Sequence, residues 1–321
     1  MKRALICGVS GQDGAYLARF LLGKGYQVWG TSRDAQVANF GNLKALGISD
    51  QVTQLSMAQT DFRSVLNSLI VSEPDEVYFL SGQSSVGLSF DQPAETMESM
   101  SLGALNLLEA VRFTGKPIKI YHASSCECFG DVGNHRATEE TPFRPRSPYG
   151  VAKASAHWLV TNYREAYGLF ACNGILFNHE SPLRPARFVT KKIVSTACRI
   201  AGGAKEKLML GRLDIVRDWG WAPEYVEAMW RMLQAEIPDD YVIATGHSDT
   251  LSNFVSIAFE SVDLDWRKFV VSDSSLYRPL DITFSAGNPG KANKILDWRA
   301  TTLLPALVSR LVSAELGKTT A

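Results

Sequence analysis

Cysteine is scarce in this chain. Five thiols (Cys7, Cys126, Cys128, Cys172 and Cys198) in 321 residues are an odd number and too few for a disulfide framework. Cys126 and Cys128 stand two apart with no second pair to match them, so they read as buried strand thiols rather than metal ligands, and no metal is expected. Net charge is missing too: 33 basic and 33 acidic side chains cancel, and neither sign forms a long run. That excludes the electrostatic footprint of a nucleic-acid or anionic-membrane binder and leaves small molecules as the expected partners. No stretch approaches the ~20 apolar residues of a membrane span. Residues 1–30 lack the basic, apolar, small-residue order of a secretory leader, so a cytoplasmic protein is the expectation. Repeats and low-complexity linkers are absent as well, so any second lobe is woven from the same chain rather than tethered to it.

What is present is a rhythm of short apolar runs and amphipathic stretches. Ala4 to Cys7, Gln27 to Thr31, Val52 to Leu55, Glu76 to Leu80 and Ile118 to His122 read as strands, each followed by a helix-like segment. This βαβ alternation predicts an α/β fold, a Rossmann doubly wound parallel sheet with ligands at the carboxyl ends of its strands. A further helix is expected from Pro148 to Tyr167 and a strand from Cys172 to Phe177, after which the rhythm breaks down. Later helices near Phe188 to Ile200, Glu224 to Gln234 and Leu251 to Glu260 alternate with short strands such as Tyr241 to Ala244. The expected division is a dinucleotide-binding unit over 1–177 with a return of about 213–246, and a smaller interwoven substrate lobe over 178–212 and 247–321.

The first strand runs through Gly8-Val9-Ser10-Gly11-Gln12-Asp13-Gly14 into a helix. In that setting Gly8 permits a tight turn, Gly11 lets backbone approach a pyrophosphate, and Gly14 lets helix and strand pack closely. The helix N-terminus then meets the anion. Gln12 and Asp13, inside the same turn, join the candidate cofactor contacts. After the second strand, Arg33 suits a ribose 2′-phosphate and Asp34 a 2′-hydroxyl. Arg33 comes first, so NADP is the expected dinucleotide and NAD the alternative.

Tyr149 and Lys153 stand four apart behind Ser147-Pro148, which places both on one face of a helix. Elsewhere such a pair is ordinary helix surface; behind five Rossmann strands it is an acid–base device. A free tyrosine titrates near ~10, and bringing it to about 7 takes roughly 4 kcal/mol of preferential stabilisation of the phenolate. Lys153 and an oxidised nicotinamide are the cations that could supply it. The fifth strand ends in His122-Ala123-Ser124-Ser125-Cys126-Glu127, and extended geometry there would turn Ser125 and Glu127 to one side. A simple dehydrogenase has no use for that carboxylate; a dehydratase does.

These residues resemble the GDP-mannose 4,6-dehydratase family of extended short-chain dehydrogenase/reductases, over nearly the whole chain. The likeness is carried by Gly8 to Leu17, Gln83-Ser84-Ser85-Val86, Thr141 through Lys153, Gly174 to Pro182, Arg217-Asp218-Trp219-Gly220 and Glu224 to Trp230. The resemblance implies a hydro-lyase that converts GDP-mannose or a related GDP-sugar to its 4-keto-6-deoxy form in deoxysugar biosynthesis. It also implies a homodimer or homotetramer. It makes Glu127 the active-site base and Ser125 the usual threonine, with Tyr149 and Lys153 completing the catalytic set. It places Ser85, Asn178, Lys192, Arg217 and Arg278 at contacts to the GDP-sugar. The chain departs from the family where paired arginines become Arg33-Asp34, where Gly-Asp-Leu becomes Met57-Ala58-Gln59, where Arg-Arg-Gly becomes Leu183-Arg184-Pro185, and where Arg-Pro-x-Glu ends in Asp281. A sugar-nucleotide reductase or epimerase, and a non-catalytic dinucleotide-binding regulator, are the rival readings; Glu127 argues against the first and the intact catalytic set against the second.

Overall fold

A computed structural model describes residues 1–319. Its main sheet comprises β1 (Arg3–Cys7), β2 (Gln27–Ser32), β3 (Val52–Ser56), β4 (Glu76–Phe79), β5 (Lys119–Ser125), β6 (Ala171–Leu176) and a seventh strand, Asp240–Ile243. Read from one edge the order is Asp240–Ile243, β6, β5, β4, β1, β2, β3, with every neighbouring pair parallel. The order runs outward from β1 in both directions, so the chain reverses beside β1 and opens a crevice at its carboxyl end, as the βαβ rhythm required. β1 and β4 lie in the middle with helices on both faces, which is why Ala4–Cys7 and Glu76–Phe79 are buried throughout and show no alternation.

Local chemistry sets the helix boundaries that matter. The helix Pro148–Tyr167 begins where Ser147 Oγ accepts a hydrogen bond from Gly150 N at 3.0 Å, with Pro148 in the first turn, and it ends at Gly168, whose φ of 68° closes the last turn. Asp61 caps Phe62–Ser72 in the same way, accepting from Arg63 N at 3.0 Å. Gly11 precedes the helix Gln12–Gly23 without any side-chain cap, leaving the first N–H groups of that helix to other partners.

Beyond β6 the chain forms β7 (Asn178–Glu180), β8 (Leu208–Leu210), β9 (Val216–Trp221), β10 (Asp240–Ile243, the seventh strand above), β11 (Ser248–Thr250) and β12 (Val270–Ser272). β9 lies between β7, parallel to it, and β11, antiparallel. The helices Val189–Ala201, Leu251–Glu260 and Leu304–Thr319 enclose a separate apolar core that includes Ile193, Phe254, Phe259 and Leu307. The helix Ala222–Gln234 instead packs on Gln12–Gly23, and its Tyr225, Met229 and Leu233 join the core beneath the main sheet.

Candidate active site

The crevice at the carboxyl end of the sheet holds two adjoining cavities. One is a groove of about 830 Å³ lined by Gly8, Gly11, Gln12, Asp13, Gly14, Arg33 and the Met57–Thr60 segment. The other, of about 420 Å³, is lined by Ser85, Ser125, Glu127, Tyr149, Lys153, Asn178, Lys192, Arg217 and Arg278. Apart from Asp34, every residue singled out as a cofactor, catalytic or substrate candidate lines one of the two. Asp13, Leu80, Ser84, Arg184, Arg187 and Phe188 line both.

The groove begins at the glycine turn. Gly8 has φ +88°, and a Cβ there would lie 3.0 Å from the Ser81 backbone. At Gly14 a Cβ would stand 2.4 Å from Gly8 O and 2.7 Å from Val9 Cα, so the helix can press against the strand end only with glycine at that position. Gly11 differs: a Cβ would only touch Gly8 O at 3.4 Å, so internal packing does not demand glycine, whereas a ligand approaching the open side would. An uncapped helix terminus set on a glycine lip, open to a long groove, fits a pyrophosphate.

Gln12 and Asp13 are committed to the protein. Gln12 Nε2 donates to Asp13 Oδ1 (3.0 Å) and to His179 O (3.1 Å), while its Oε1 accepts from Ser181 Oγ at 2.7 Å. Their side chains thus brace the turn against the segment after β6 while both residues line the groove. The other Asp13 oxygen lies 2.9 Å from His179 Nε2, and His179 Nδ1 lies 2.7 Å from Phe177 O. A backbone carbonyl and an ionised carboxylate can only accept, so this geometry suits a ring that donates from both nitrogens. Burial works against the charged ring, but Asp13 outweighs it and His179 is held above the ordinary histidine range. Asp13 is likewise opposed by burial and still lowered, by His179 first and then Gln12 and Arg184.

At the far end Arg33 is 83% exposed and its Nη2 stands 3.2 Å from Glu95 Oε1. Asp34 accepts from Gln36 N at 2.9 Å, closing its own turn, and does not line the groove. Gln59 donates to Ser99 O at 2.8 Å and its backbone carbonyl accepts from Asn106 at 3.0 Å, fixing that wall of the groove.

In the second cavity the expected extended alternation of Ser125 and Glu127 is not what forms. β5 ends at Ser125, and Cys126–Cys128 turn into a single 3-10 helix whose N-cap is Ser125, with Ser125 Oγ accepting from Glu127 N at 3.2 Å. The hydroxyl and carboxyl still share the cavity, because the cap folds the chain back on itself. Gly150 brings the next element close: a Cβ there would be 2.8 Å from Glu127 O, so only glycine lets the Tyr149 helix start against this turn. Lys153, one turn on, places Nζ 2.7 Å from Ala123 O and 5.9 Å from the centroid of the Tyr149 ring.

Burial dominates the electrostatics. It raises Glu127 above the usual carboxyl range, opposed by Arg278 and Arg217 and reinforced by Asp281. It lowers Lys153 to about 8 against the pull of Cys128 and Asp13. It also raises Tyr149, with the nearby Glu127 and two thiols adding to the effect and only the Ser125 hydroxyl opposing it. The surrounding side chains therefore hold the phenol up, and the expected acidification is left to the pair of cations named for it, Lys153 and an oxidised nicotinamide.

Several candidate substrate contacts also have internal partners. Arg217 donates to Val216 O (2.9 Å) and Ile282 O (2.8 Å) and lies 3.5 Å from Asp281 Oδ1, which also faces Arg278 at 3.9 Å. Lys192 donates to Met209 O at 2.7 Å, and Ser85 Oγ caps Val86–Asp91 through Leu88 N at 3.3 Å. Asn178 opens β7 at the cavity wall. Sequence reasoning left Arg187 and Phe188 out; the two arginines flanking Pro185 were the signal, and Arg184 now stacks 3.7 Å above the Phe188 ring. Among the described residues no group of His, Cys, Asp or Glu is placed to hold a metal ion.

A parallel sheet of this order, a three-glycine turn and a Tyr-x-x-x-Lys helix behind β5 define the extended short-chain dehydrogenase/reductase class. Solved structures share the fold. The UDP-glucose 4-epimerase of Thermus thermophilus in complex with NAD superposes with a TM-score of 0.86 at 25% identity, covering 98% of this chain and 99% of that one. RMD from Pseudomonas aeruginosa complexed with NADPH gives 0.81 at 21% identity, covering 99% and 100%. Sequence comparison narrows the class. Residues 5–311 match the family model described as GDP-mannose 4,6 dehydratase. GDP-mannose 4,6 dehydratase 2 of Arabidopsis thaliana is 45% identical across 98% of this chain and 87% of its own length, and the Vibrio cholerae GDP-mannose 4,6-dehydratase is 40% identical across 98% and 94%. The chain belongs to the GDP-mannose 4,6-dehydratase family.

Proposed function

We propose that this chain is a hydro-lyase that removes one water from GDP-mannose to give GDP-4-keto-6-deoxymannose, using a nicotinamide dinucleotide that ends the cycle as it began. The observation that carries the reading is the burial of Glu127 in one cavity with Ser125, Tyr149 and Lys153: an added carboxyl, held above its usual range, on top of a dehydrogenase set. Family membership and the relatives' names support the substrate.

The dinucleotide would be held by the turn Gly8–Gly14 and by Arg33, whose guanidinium makes NADP the preferred form over NAD. When bound and oxidised, it supplies a positive charge and a reversible hydride acceptor that takes hydrogen from sugar C4 and returns it at C6. Tyr149, as phenolate, takes the proton of the sugar 4-hydroxyl, and Lys153 as a cation stabilises that phenolate. Ser125 donates to the 4-oxygen and aligns it. The resulting 4-ketone acidifies the C5 hydrogen; Glu127 removes that proton and delivers it to the departing 6-hydroxyl, which leaves as water. A carboxyl with a raised pKa suits both halves of this exchange. Tyr149 then protonates C5. Ser85, Asn178, Lys192, Arg217 and Arg278 orient the nucleotide portion, residues 178–212 and 247–321 form the substrate lobe, and the assembly is a homodimer or homotetramer.

Mass spectrometry of GDP-mannose incubated with the protein tests the reaction. A product lighter by one water is expected; an unchanged mass, or a reduced product formed with net consumption of the dinucleotide, would replace the dehydratase by an epimerase or a reductase.

A further inference from the structure

Arg33 and Glu95, far apart in sequence, meet in the lining of the groove. Arg33 follows β2, whereas Glu95 lies 62 positions further on in the short helix Pro93–Met97, and Nη2 and Oε1 stand 3.2 Å apart. The charged residues that line only the groove, and not the catalytic cavity beside it, are Arg33, Glu95 and Glu98. Of these, Glu95 already holds one N–H group of the Arg33 guanidinium.

We propose that Glu95 sets the size of this protein's preference between NADP and NAD, by holding the Arg33 guanidinium across the mouth of the groove. The proposal rests on the reading of the groove as a dinucleotide site. A ribose 2′-phosphate carries about −1.5 to −2 charges, as any phosphate monoester does near neutrality. To take the guanidinium fork in two hydrogen bonds it competes with the Glu95 carboxylate for Nη2 and then sits beside that like charge. A ribose 2′-hydroxyl carries no charge and enters no such competition. Glu95 thus acts against the phosphorylated dinucleotide selectively. Both side chains are largely exposed, 83% for Arg33 and 48% for Glu95, so water and salt screen the effect and its size is modest.

The test is equilibrium titration of dinucleotide-free protein with NADP and with NAD, for the parent, Glu95→Gln and Arg33→Ala. Glutamine keeps the shape of glutamate without the charge. Freeing Arg33 from an exposed pair is expected to tighten NADP about two- to fivefold. NAD affinity stays where it was, and the gain shrinks as ionic strength is raised from about 0.02 to 0.3 M. Arg33→Ala weakens NADP and leaves NAD nearly unmoved. Glu95→Gln that leaves NADP affinity unchanged, weakens it, or tightens both dinucleotides alike overturns the role of Glu95 while the groove keeps its assignment. If neither dinucleotide binds the parent, the assignment of the groove fails and takes this proposal with it.

Discussion

His179→Gln isolates the contact that ties the dinucleotide helix to the segment after β6. The parent ring donates from both nitrogens, at 2.9 Å to Asp13 Oδ2 and 2.7 Å to Phe177 O, and it stacks on Tyr225 with centroids 4.6 Å apart at 22°. Glutamine can satisfy one acceptor but carries no charge, so Asp13, whose side chain is 23% exposed, is left with Gln12 as its remaining donor. Removing one partner of a fully buried pair costs about 3–5 kcal/mol, and the partial exposure of Asp13 puts this variant at the lower end. In a chain of 321 residues the entropy of unfolding turns that into a fall in Tm of about 4 °C. Asp13→Asn in the same protein removes the stranded charge, so the double variant should regain more than half of the loss. The pH dependence follows from the two shifts. His179 is raised, so its contribution is complete below the unfolded histidine value and is lost as pH rises through the folded one. Asp13 is lowered, so its contribution is present above the unfolded aspartate value and is lost as pH falls through the folded one. Thermal unfolding across pH should therefore show the gap between parent and variant widest between those limits and closing on the alkaline side. A variant that melts within about 1 °C of the parent, or a double variant no better than the single, would refute the charged-ring argument.

Lys153 sits near 8 because it is buried, so turnover should decline as pH rises through about 8 and the cation beside Tyr149 is lost. Arginine keeps its charge, so Lys153→Arg should move the descending limb of kcat upward by at least about one pH unit whatever its absolute rate; an unmoved limb assigns it to another group. Gly14→Ala drives a methyl to 2.4 Å from Gly8 O and 2.7 Å from Val9 Cα. Overpacking of about 1–3 kcal/mol should outweigh the helix-propensity gain of about 1 kcal/mol and loosen dinucleotide binding at least about tenfold. Gly23→Ala, at the other end of the same helix with nothing within 4 Å, should be neutral or stabilising in the same melt and titration. Equal behaviour of the two variants would show that close helix–strand contact does not shape the groove.

The parts of the fold that were legible are those written in local chemistry. Ser147-Pro148 and Gly168 bound the catalytic helix at the residues the pattern indicated, and the apolar runs at Ala4–Cys7 and Glu76–Phe79 marked strands covered on both faces. The glycine turn could be read because Gly14 answers a steric demand only six residues back, at Gly8 O, and Gly8 takes the positive φ of a tight turn. What escaped was set by partners distant in sequence or by competition between local geometries. Glu127 left the extended path because Ser125 found a cap at Glu127 N, a bond that strand periodicity does not encode. The bracing by Gln12 and Asp13 escaped because Ser181 and His179, more than 160 positions away, were not yet beside them. The same holds for Arg33 and Glu95. The phenol of Tyr149 was expected to need both Lys153 and an oxidised nicotinamide as its cations, and the burial that opposes them is something no spacing rule reports.

The central claim is that Glu127 separates a dehydratase from a dehydrogenase, and Glu127→Gln in a single turnover tests it most directly. The amide keeps the shape of the carboxyl but cannot accept the C5 proton, while Tyr149 and Lys153 are untouched. Protein reloaded with oxidised dinucleotide is mixed with GDP-mannose, and nicotinamide absorbance and product mass are followed together. The account predicts that the variant reduces its bound dinucleotide and then stalls, releasing no 6-deoxy product. Dehydrated product formed at an undiminished rate would make Glu127 a bystander and contradict the account.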